Sequence, residues 1–267
     1  AYDLASAHLV AIHSGHINQS FRVDNENEKW ILQRLNPIFS PELHDDVEVV
    51  TSHLAAQGMP TPHLVKNKEG RLWHRDKQSN VWRLQTYMEG QTHLRVSNEK
   101  LAFEAGALLG RFHQRLSTLD YTFKHKRDSV HDTNKHRDHL IHVLDNTHQH
   151  AALHDASEVG EEILNALSRL SLQDDLPSRI VHGDPKVSNM LFSSDNEGIC
   201  MIDLDTLGHM PLHLELGDAF RSWCNLCSED DPNSAFDIGR FESALKGYHS
   251  GMTSGITTLE KAMLLDA

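Results

Sequence analysis

The sequence predicts an α+β fold with a small, strand-rich N-terminal part that carries one main helix and a larger, mostly helical C-terminal part. Strand-like segments separated by polar turns fill most of the first ninety residues. After Gly90 the apolar residues recur with helical spacing, and short strands return only between residues 179 and 203. A chain of 267 residues is long enough to bury the core of such a fold without disulfide bonds.

The N-terminal part contains alternating segments bounded by turn residues. A polar turn through Ser14-Gly15-His16 joins the first two of them, and turns at residues 67–70 and 76–80 precede later ones. Strands are predicted over residues 8–13, 17–24, 29–35 and 81–88.

The main helix of this part is predicted to begin with Ser40 as its N-cap and Pro41 at its first position. Apolar residues follow at helical spacing from Leu43 to Leu54, and Gly58 lies just beyond the end. The helix therefore falls between the third strand and the later ones.

The C-terminal part opens with a helix whose apolar face runs from Leu101 to Leu116, with Ser97 as its predicted cap. From about Leu214 onward the pattern is again helical, and the run Thr258–Leu265 meets the end of the sequence without a stop signal, which leaves open a continuation beyond residue 267. Between these lie two more predicted helices, at residues 134–150 and 155–170, and three short strands, at 180–182, 190–192 and 199–203.

The change of pattern near residues 87–90 predicts two lobes. Residues 1–89 form the first, which we expect to bind a nucleotide, and residues 90–267 form the second, which we expect to be catalytic and to bind an acceptor. A cleft between two such lobes is a usual place for a small ligand.

The composition excludes several classes of protein. The formal net charge is −13, from 25 basic and 38 acidic residues, which disfavours general binding to nucleic acid or to anionic lipid. No apolar run approaches the roughly 20 residues of a membrane-spanning helix, and no signal peptide is visible. Three cysteines are too few for a disulfide framework and are expected to be reduced thiols, so we expect a cytoplasmic protein; the oligomeric state is left open.

One segment carries the chemistry, Ile180–Thr206, with the sequence IVHGDPKVSNMLFSSDNEGICMIDLDT. An apolar strand delivers Asp184 into a loop, and Asn189 begins the next strand. The following hairpin returns the chain, so that Asp203 and Asp205 arrive beside them. An Asp, an Asn and a second Asp are therefore predicted to converge.

Phosphoryl transfer from a nucleotide needs these parts. A carboxylate, here Asp184, orients the attacking hydroxyl and accepts its proton. An oxygen-donor pair, Asn189 and Asp203, suits Mg²⁺. Lys186 is placed to neutralise charge on the moving phosphoryl group.

The sequence resembles the aminoglycoside/choline phosphotransferase superfamily, whose members share a protein-kinase-like bilobal fold. HGDPKVSNMLF and MIDLDTLGHMP, within residues 182–211, carry this resemblance, together with LGDAFRSW at 216–223. GHINQSFRV at 15–23, WILQRLN at 30–36 and HDTNKHRDHL at 131–140 are similar to N-acetylhexosamine 1-kinases.

The resemblance implies roles at the matching positions. Asp184 would be the catalytic base, Asn189 and Asp203 the magnesium ligands, and Asp205 a support of the metal site or of its loop. The segment Ser14–Asn18 would cover the phosphates of ATP, with Ser14 and Gly15 in contact with them. The adenine would lie against backbone groups of Gln85, Thr86, Tyr87 and Met88.

The departure from the kinase pattern lies in the strand KWILQRL, where Gln33 and Arg34 stand in place of the usual lysine. Alternation along a strand puts these two side chains on opposite faces, so only one of them can reach the nucleotide. Glu48, on the main helix, occupies the position of the acid that pairs with that lysine in kinases.

For the acceptor, the resemblance favours a sugar such as an N-acetylhexosamine, with His16, Asn18, Asp184 and Arg221 as candidate contacts. Two alternatives stay open. In one the acceptor is choline, homoserine or an aminoglycoside, and in the other the protein binds nucleotide without catalysing transfer. For Arg221 a substrate contact and a structural ion pair are both possible from the sequence, and Asp218 is either a helix cap or an anchor of the catalytic loop.

Overall fold

The computed structural model describes residues 1–2, 4, 7–12, 17–26, 28–125, 132–146, 150–170, 176–227, 231 and 233–264. Within them the chain forms an antiparallel sheet at its N-terminal end and a helical body at its C-terminal end. One continuous apolar core joins the two, because side chains of the first helix and of the helical body belong to the same buried cluster.

The N-terminal sheet has five antiparallel strands in the order β1-β2-β3-β5-β4. The strands are β1 (His8–Ile12), β2 (Gln19–Asp24), β3 (Lys29–Arg34), β4 (His74–Arg75) and β5 (Val81–Thr86). In the register of β3 against β5, Gln33 lies opposite Arg83 and Arg34 lies opposite Trp82. The predicted strands are confirmed, with ends shifted by a few residues.

Helix α1 (Leu43–Ala56) follows β3 and packs on the helical body. The predicted cap was wrong by two positions, since Glu42 is the N-cap and the Ser40 carbonyl accepts from the Leu43 amide at 3.2 Å. The segment Ser40–Glu42 thus forms a turn before the helix begins.

Asp46 on α1 is buried and ties this helix to residues 121–125. One carboxylate oxygen accepts from the Tyr121 hydroxyl at 2.7 Å and from the Lys124 amide at 2.8 Å, and the other accepts from the His125 amide at 2.8 Å. The helix is therefore anchored to a segment that belongs to the C-terminal part of the chain.

The helical body contains six helices in the described residues. They are α2 (Glu99–Leu116), α3 (Thr133–Asn146), α4 (Leu153–Leu167), α5 (Leu212–Trp223), α6 (Ile238–Gly251) and α7 (Thr258–Met263). The expected cap of α2 was wrong by one residue, because the side chain of Asn98, rather than Ser97, accepts from the Leu101 amide. None of the described helices is long and apolar enough to cross a membrane.

Helices α2 and α6 pack with their backbones almost touching. A Cβ atom on Gly247 would collide with the carbonyl oxygen of Phe103, and one on Gly106 with the carbonyl oxygen of Ala244. Each helix therefore presents glycine exactly where the other helix's backbone passes, and the pair forms the rigid centre of the helical body.

Four short strands connect α4 to α5 and support the catalytic segment. They form two antiparallel pairs, β6 (Ser178–Val181) with β9 (Gly208–Pro211) and β7 (Met190–Phe192) with β8 (Gly198–Met201). Strand β9 was not predicted, because the sequence GHMP contains a glycine and a proline and lacks strand-like alternation.

We predict that Gly247→Ala lowers the free energy of unfolding by about 3 kcal/mol, because the added methyl group must force two helix backbones apart. Gly208→Ala is the matched control, since a Cβ there meets no atom within 4 Å. Urea unfolding of both variants measures the effect. Equal stability of the two would contradict the close α2–α6 packing.

Candidate active site

The catalytic segment starts where β6 ends. The buried His182 ring contacts the Ile202 carbonyl through Nε2 at 2.8 Å. Gly183 follows with φ +79°, and a Cβ there would collide with the Thr206 carbonyl oxygen, so only glycine fits. The chain thus turns sharply and presents Asp184 at the surface of the cleft.

Glu215, at the start of α5, holds this turn from below. Its two carboxylate oxygens accept from the His182 amide at 2.9 Å and from the Gly183 amide at 3.0 Å. Burial opposes its charge, but His113, His182 and the Gly183 amide together hold the pKa of the carboxyl below its usual value. His113 Nε2 lies 3.5 Å from Glu215 Oε1.

The sequence offered Asp218 as a cap or as the anchor of the loop, and the anchor is Glu215 instead. Asp218 accepts from Arg221 Nη2 at 2.8 Å within α5. Arg221 therefore makes a structural ion pair, while its side chain remains 54% exposed. A second support of the loop was missed, since Trp223 is fully buried and donates from Nε1 to the Pro185 carbonyl at 2.9 Å.

The predicted convergence of polar residues is found at Asp184 and Asn189. Asn189 Nδ2 donates to the Asp184 backbone oxygen at 2.9 Å and to its carboxylate at 3.2 Å. Because the nitrogen faces Asp184, the amide oxygen of Asn189 points the other way. Lys186 Nζ stands 3.6 Å from the other carboxylate oxygen of Asp184. The Ile202 amide bonds the Asn189 carbonyl at 2.9 Å and so brings Asp203 beside this pair.

Asp203 has a left-handed backbone, with φ 59° and ψ 57°. Asp203 is exposed to solvent, yet the protein atoms around it remove part of the water from its carboxylate. This desolvation, together with repulsion from Asp205, raises the pKa of Asp203 to about 6. A carboxylate in such surroundings favours a nearby cation. The described residues contain no group of three or more His, Cys, Asp or Glu side chains that are placed to hold a metal ion by themselves.

Asp205 is buried and faces the N-terminal sheet. Its oxygens accept from Nη1 and Nη2 of Arg83, the latter at 3.0 Å, and from Asn18 Nδ2 at 2.7 Å. Burial opposes the charge, but Arg83 and Asn18 hold the pKa of the carboxyl below its usual value. Both oxygens are thus engaged, which favours the support of the loop among the roles expected of Asp205. Asn18, expected to contact the acceptor, is buried and bonded to Asp205.

The expected nucleotide contacts lie on β3, β5 and α1. Gln33 is buried, and its amide accepts from Arg83 and Gln85 and donates to Ser20. Arg34 lies on the opposite face of β3 and is half-buried. Glu48 is half-buried on α1, and within the described part of the chain it makes no ion pair.

The segment expected to face an adenine follows β5. Thr86 exchanges hydrogen bonds with the backbone of His63, and the Tyr87 amide donates to the Lys29 carbonyl at 3.3 Å. The side chain of Gln85 donates a hydrogen bond from Nε2 to Gln33 Oε1 at 3.1 Å, and Met88 is half-buried. Ser14, Gly15 and His16 lie outside the described residues.

Arg83 is a further residue that sequence reasoning missed. It occupies the centre of a strand, VWRLQT, where alternation alone does not show which face is buried. Its cross-strand position opposite Gln33 was the available signal, since a glutamine in place of the usual lysine leaves the charge to be supplied from a neighbouring strand.

The chain is similar to several known proteins. A sequence profile for the phosphotransferase enzyme family matches residues 8–248. A homoserine kinase from Zymomonas mobilis subsp. mobilis is 23% identical over 264 residues, which cover 96% of this chain and 75% of that protein.

Solved structures share the fold. An amicoumacin kinase, hAmiN, in complex with AMP-PNP, Ca²⁺ and Ami aligns with TM-score 0.65 and 16% identity, covering 99% of this chain and 87% of its own. A choline/ethanolamine kinase family protein from Mesorhizobium loti aligns with TM-score 0.57 and 17% identity, covering 97% and 74%. These likenesses confirm the predicted kinase-like α+β fold.

We predict that Glu215→Gln lowers the free energy of unfolding at pH 7 by about 2–3 kcal/mol, because the amide keeps one acceptor oxygen and turns an NH2 donor toward the other of the two buried N–H groups. Since the pKa of Glu215 is lowered in the folded state, its contribution is present above the ordinary pKa of 4.5 and is lost as the pH falls below it. The difference between wild type and variant should therefore shrink on acidification.

Urea unfolding at pH 7 and at lower pH measures this difference. Glu242→Gln, at an exposed carboxylate, is the control and should differ from wild type by less than about 0.5 kcal/mol. A Glu215→Gln variant as stable as the control at pH 7 would show that Glu215 does not anchor the loop.

Proposed function

The chain belongs to the phosphotransferase enzyme family and is a small-molecule kinase, and from this premise we propose that it transfers the γ-phosphoryl group of ATP to a hydroxyl of a small acceptor with Mg²⁺ bound. The supporting observation is the adjacency of Asp184, Asn189 and the segment that carries Asp203. The N-terminal lobe, residues 1–89, would hold the nucleotide, and residues 90–267 would supply catalysis and the acceptor site.

The donor set fits a hard divalent cation. Asp203 offers a carboxylate, and Asn189 offers the amide oxygen that its bonds to Asp184 turn outward. Magnesium sites beside nucleotides commonly use one or two protein oxygens and complete the shell with phosphates and water. When bound, the ion would neutralise charge on the phosphate oxygens.

Asp184 would accept a hydrogen bond from the acceptor hydroxyl, orient it toward the phosphoryl group and take its proton. The bond from Asn189 Nδ2 fixes one carboxylate oxygen. Lys186 has an exposed ammonium group beside the other oxygen, where it would offset charge on the transferred group.

The nucleotide would lie against the backbone of Gln85–Met88, with Ser14 and Gly15 over its phosphates. In β3 we assign the nucleotide side to the face of Gln33, because that face adjoins the loop of Asp203 and Asp205. Arg34 lies on the other face, and Glu48 would shape the cleft without a lysine partner.

For the acceptor we propose a neutral hydroxyl compound, with an N-acetylhexosamine first because of the subfamily resemblance. The side chains nearest the reacting point include the basic Lys186, and Arg221 is exposed on the next helix. Each of these cations is paired with an aspartate, Lys186 with Asp184 and Arg221 with Asp218, so the charge of each pair is balanced, which favours a neutral acceptor over a cationic choline or aminoglycoside. His16 remains a candidate contact.

A second candidate is homoserine, because the chain is similar to a homoserine kinase. Homoserine carries a carboxylate, which an exposed guanidinium such as that of Arg221 can bind with two hydrogen bonds. Family membership speaks against the third alternative, a protein that binds nucleotide without catalysis.

We predict that Asp184→Asn preserves the fold and nucleotide binding but lowers kcat by about 10²-fold or more, because the proton acceptor is lost. Coupled measurement of ADP release and a thermal unfolding curve test this. Asp195→Asn, on the exposed turn between β7 and β8, is the matched control and should retain activity. Turnover near that of wild type in Asp184→Asn would remove Asp184 from the mechanism.

A second prediction concerns the acceptor. ADP release is measured with ATP, Mg²⁺ and a panel of N-acetylglucosamine, N-acetylgalactosamine, plain hexoses, homoserine, choline and an aminoglycoside. We expect the highest kcat/KM with an N-acetylhexosamine, giving an acid-labile 1-phosphate.

The panel also separates the candidates. Turnover of homoserine alone, with loss on Arg221→Gln, would replace the sugar by the amino acid. Turnover of choline or an aminoglycoside alone would contradict the charge argument.

A further inference from the structure

The two lobes are joined at the floor of the cleft by a buried ion pair. Arg83 lies on β5 and Asp205 lies on the turn Leu204–Thr206, and the side chain of each is only 2% exposed. Both terminal nitrogens of the guanidinium bond the two carboxylate oxygens, so the pair has a forked geometry. A forked pair fixes direction as well as distance, which a lysine could not do.

Further N-terminal groups converge on the same pair. Asn18 donates to Asp205 and accepts from the Asn36 amide at 2.9 Å. Gln33 accepts from Arg83 Nε at 2.9 Å through its side-chain oxygen. Asn18, which precedes β2, and Arg83 on β5 bond the carboxylate of Asp205 directly, and Gln33 on β3 is linked to it through Arg83.

That carboxylate is two residues from Asp203, whose left-handed backbone is uncommon for a residue other than glycine. Such a conformation persists where its surroundings hold it. The Thr206 hydroxyl donates to the His182 carbonyl at 2.7 Å. The turn is also held at Asp205, whose carboxylate is bonded by Arg83 of the sheet.

We propose that Arg83 is a positioning residue, which holds the turn of Asp203 in register with the nucleotide-binding sheet. The inference rests on the proposed function, since it assigns Asp203 to the divalent metal ion of the bound nucleotide. Arg83 supplies from β5 the lobe-bridging charge that Gln33 cannot supply from β3. Its guanidinium is too buried to touch the nucleotide and acts through Asp205.

A purely structural ion pair would behave differently. Replacing both partners of a buried pair by apolar residues commonly restores stability, whereas removing one partner leaves a buried charge. The double variant Arg83→Met with Asp205→Leu therefore separates stability from positioning.

The experiment measures Tm, and the affinity for ATP with Mg²⁺ and with EDTA by calorimetry. We expect each single variant to lower Tm and the double variant to recover most of the loss. In the double variant the ratio of the two affinities should fall by about tenfold or more, with metal-free binding changed by less than about threefold, because Asp203 is no longer held in place. Arg83→Lys should fall between wild type and Arg83→Met.

Arg179 and Glu260 form the matched control, an ion pair of two hydrogen bonds between β6 and α7; the side-chain hydrogen bonds of Arg179 go to Glu260 and Gly255 and not to the turn Leu204–Thr206. Arg179→Met with Glu260→Leu should change Tm and leave the ratio of affinities as in wild type.

The outcomes decide between the readings. Recovery of both Tm and the affinity ratio in the double variant would overturn the positioning role. Should the double variant not fold, Asp205→Asn, which keeps the size of the side chain, decides by the same ratio, and an unchanged ratio overturns the inference. Failure of the wild-type protein to bind ATP in either form would instead refute the proposed function.

Discussion

The hydrogen bonds from two consecutive backbone amides to the buried carboxylate of Glu215 are the constraint on which the reactive segment depends. They hold His182 and Gly183 in a turn that requires glycine at position 183, since Gly183 has a positive φ and lies against Thr206. That turn sets the position of Asp184, which follows it directly, and Asn189 is bonded to Asp184. A reacting group placed in this way needs little reorganisation when its partner arrives.

Two aspartates separated by one residue acquire opposite properties through this architecture. Asp203 is exposed and its pKa is raised to about 6, whereas Asp205 is buried against Arg83 and its pKa is lowered. The left-handed backbone at Asp203 turns the chain between them. The carboxylate of Asp205 is thereby engaged within the protein, whereas that of Asp203 is the one that we propose to bind the metal ion.

The sequence was sufficient for the order of elements and for the residues that act locally. Apolar spacing located α1 and α2, and the run from His182 to Asp205 showed which polar groups converge, because a strand, a turn and a hairpin fix their own geometry. The cap of α2 was misplaced by one residue because Ser97 and Asn98 are both good cap residues. The cap of α1 was misplaced by two because Ser40 lies in a turn that precedes the helix. Arg83, Glu215 and Asp46 escaped because their importance arises from partners distant in sequence. A single charged residue within a strand or helix does not reveal which distant group it will meet.

The anchoring of α1 has a consequence for how the cleft can open. Asp46 binds α1 to residues 121–125 with three hydrogen bonds, and α1 packs on α2 and on the turn Leu204–Thr206. The helix precedes the lobe boundary in sequence, yet it is built into the helical body. A movement of the sheet against the helical body would leave α1 in place and bend the chain in the short connections at either end of the helix, 35–42 and 57–63. The same movement would have to separate Arg83 and Asn18 from Asp205. The sheet alone would then move, and helix α1 would keep its place on the helical body.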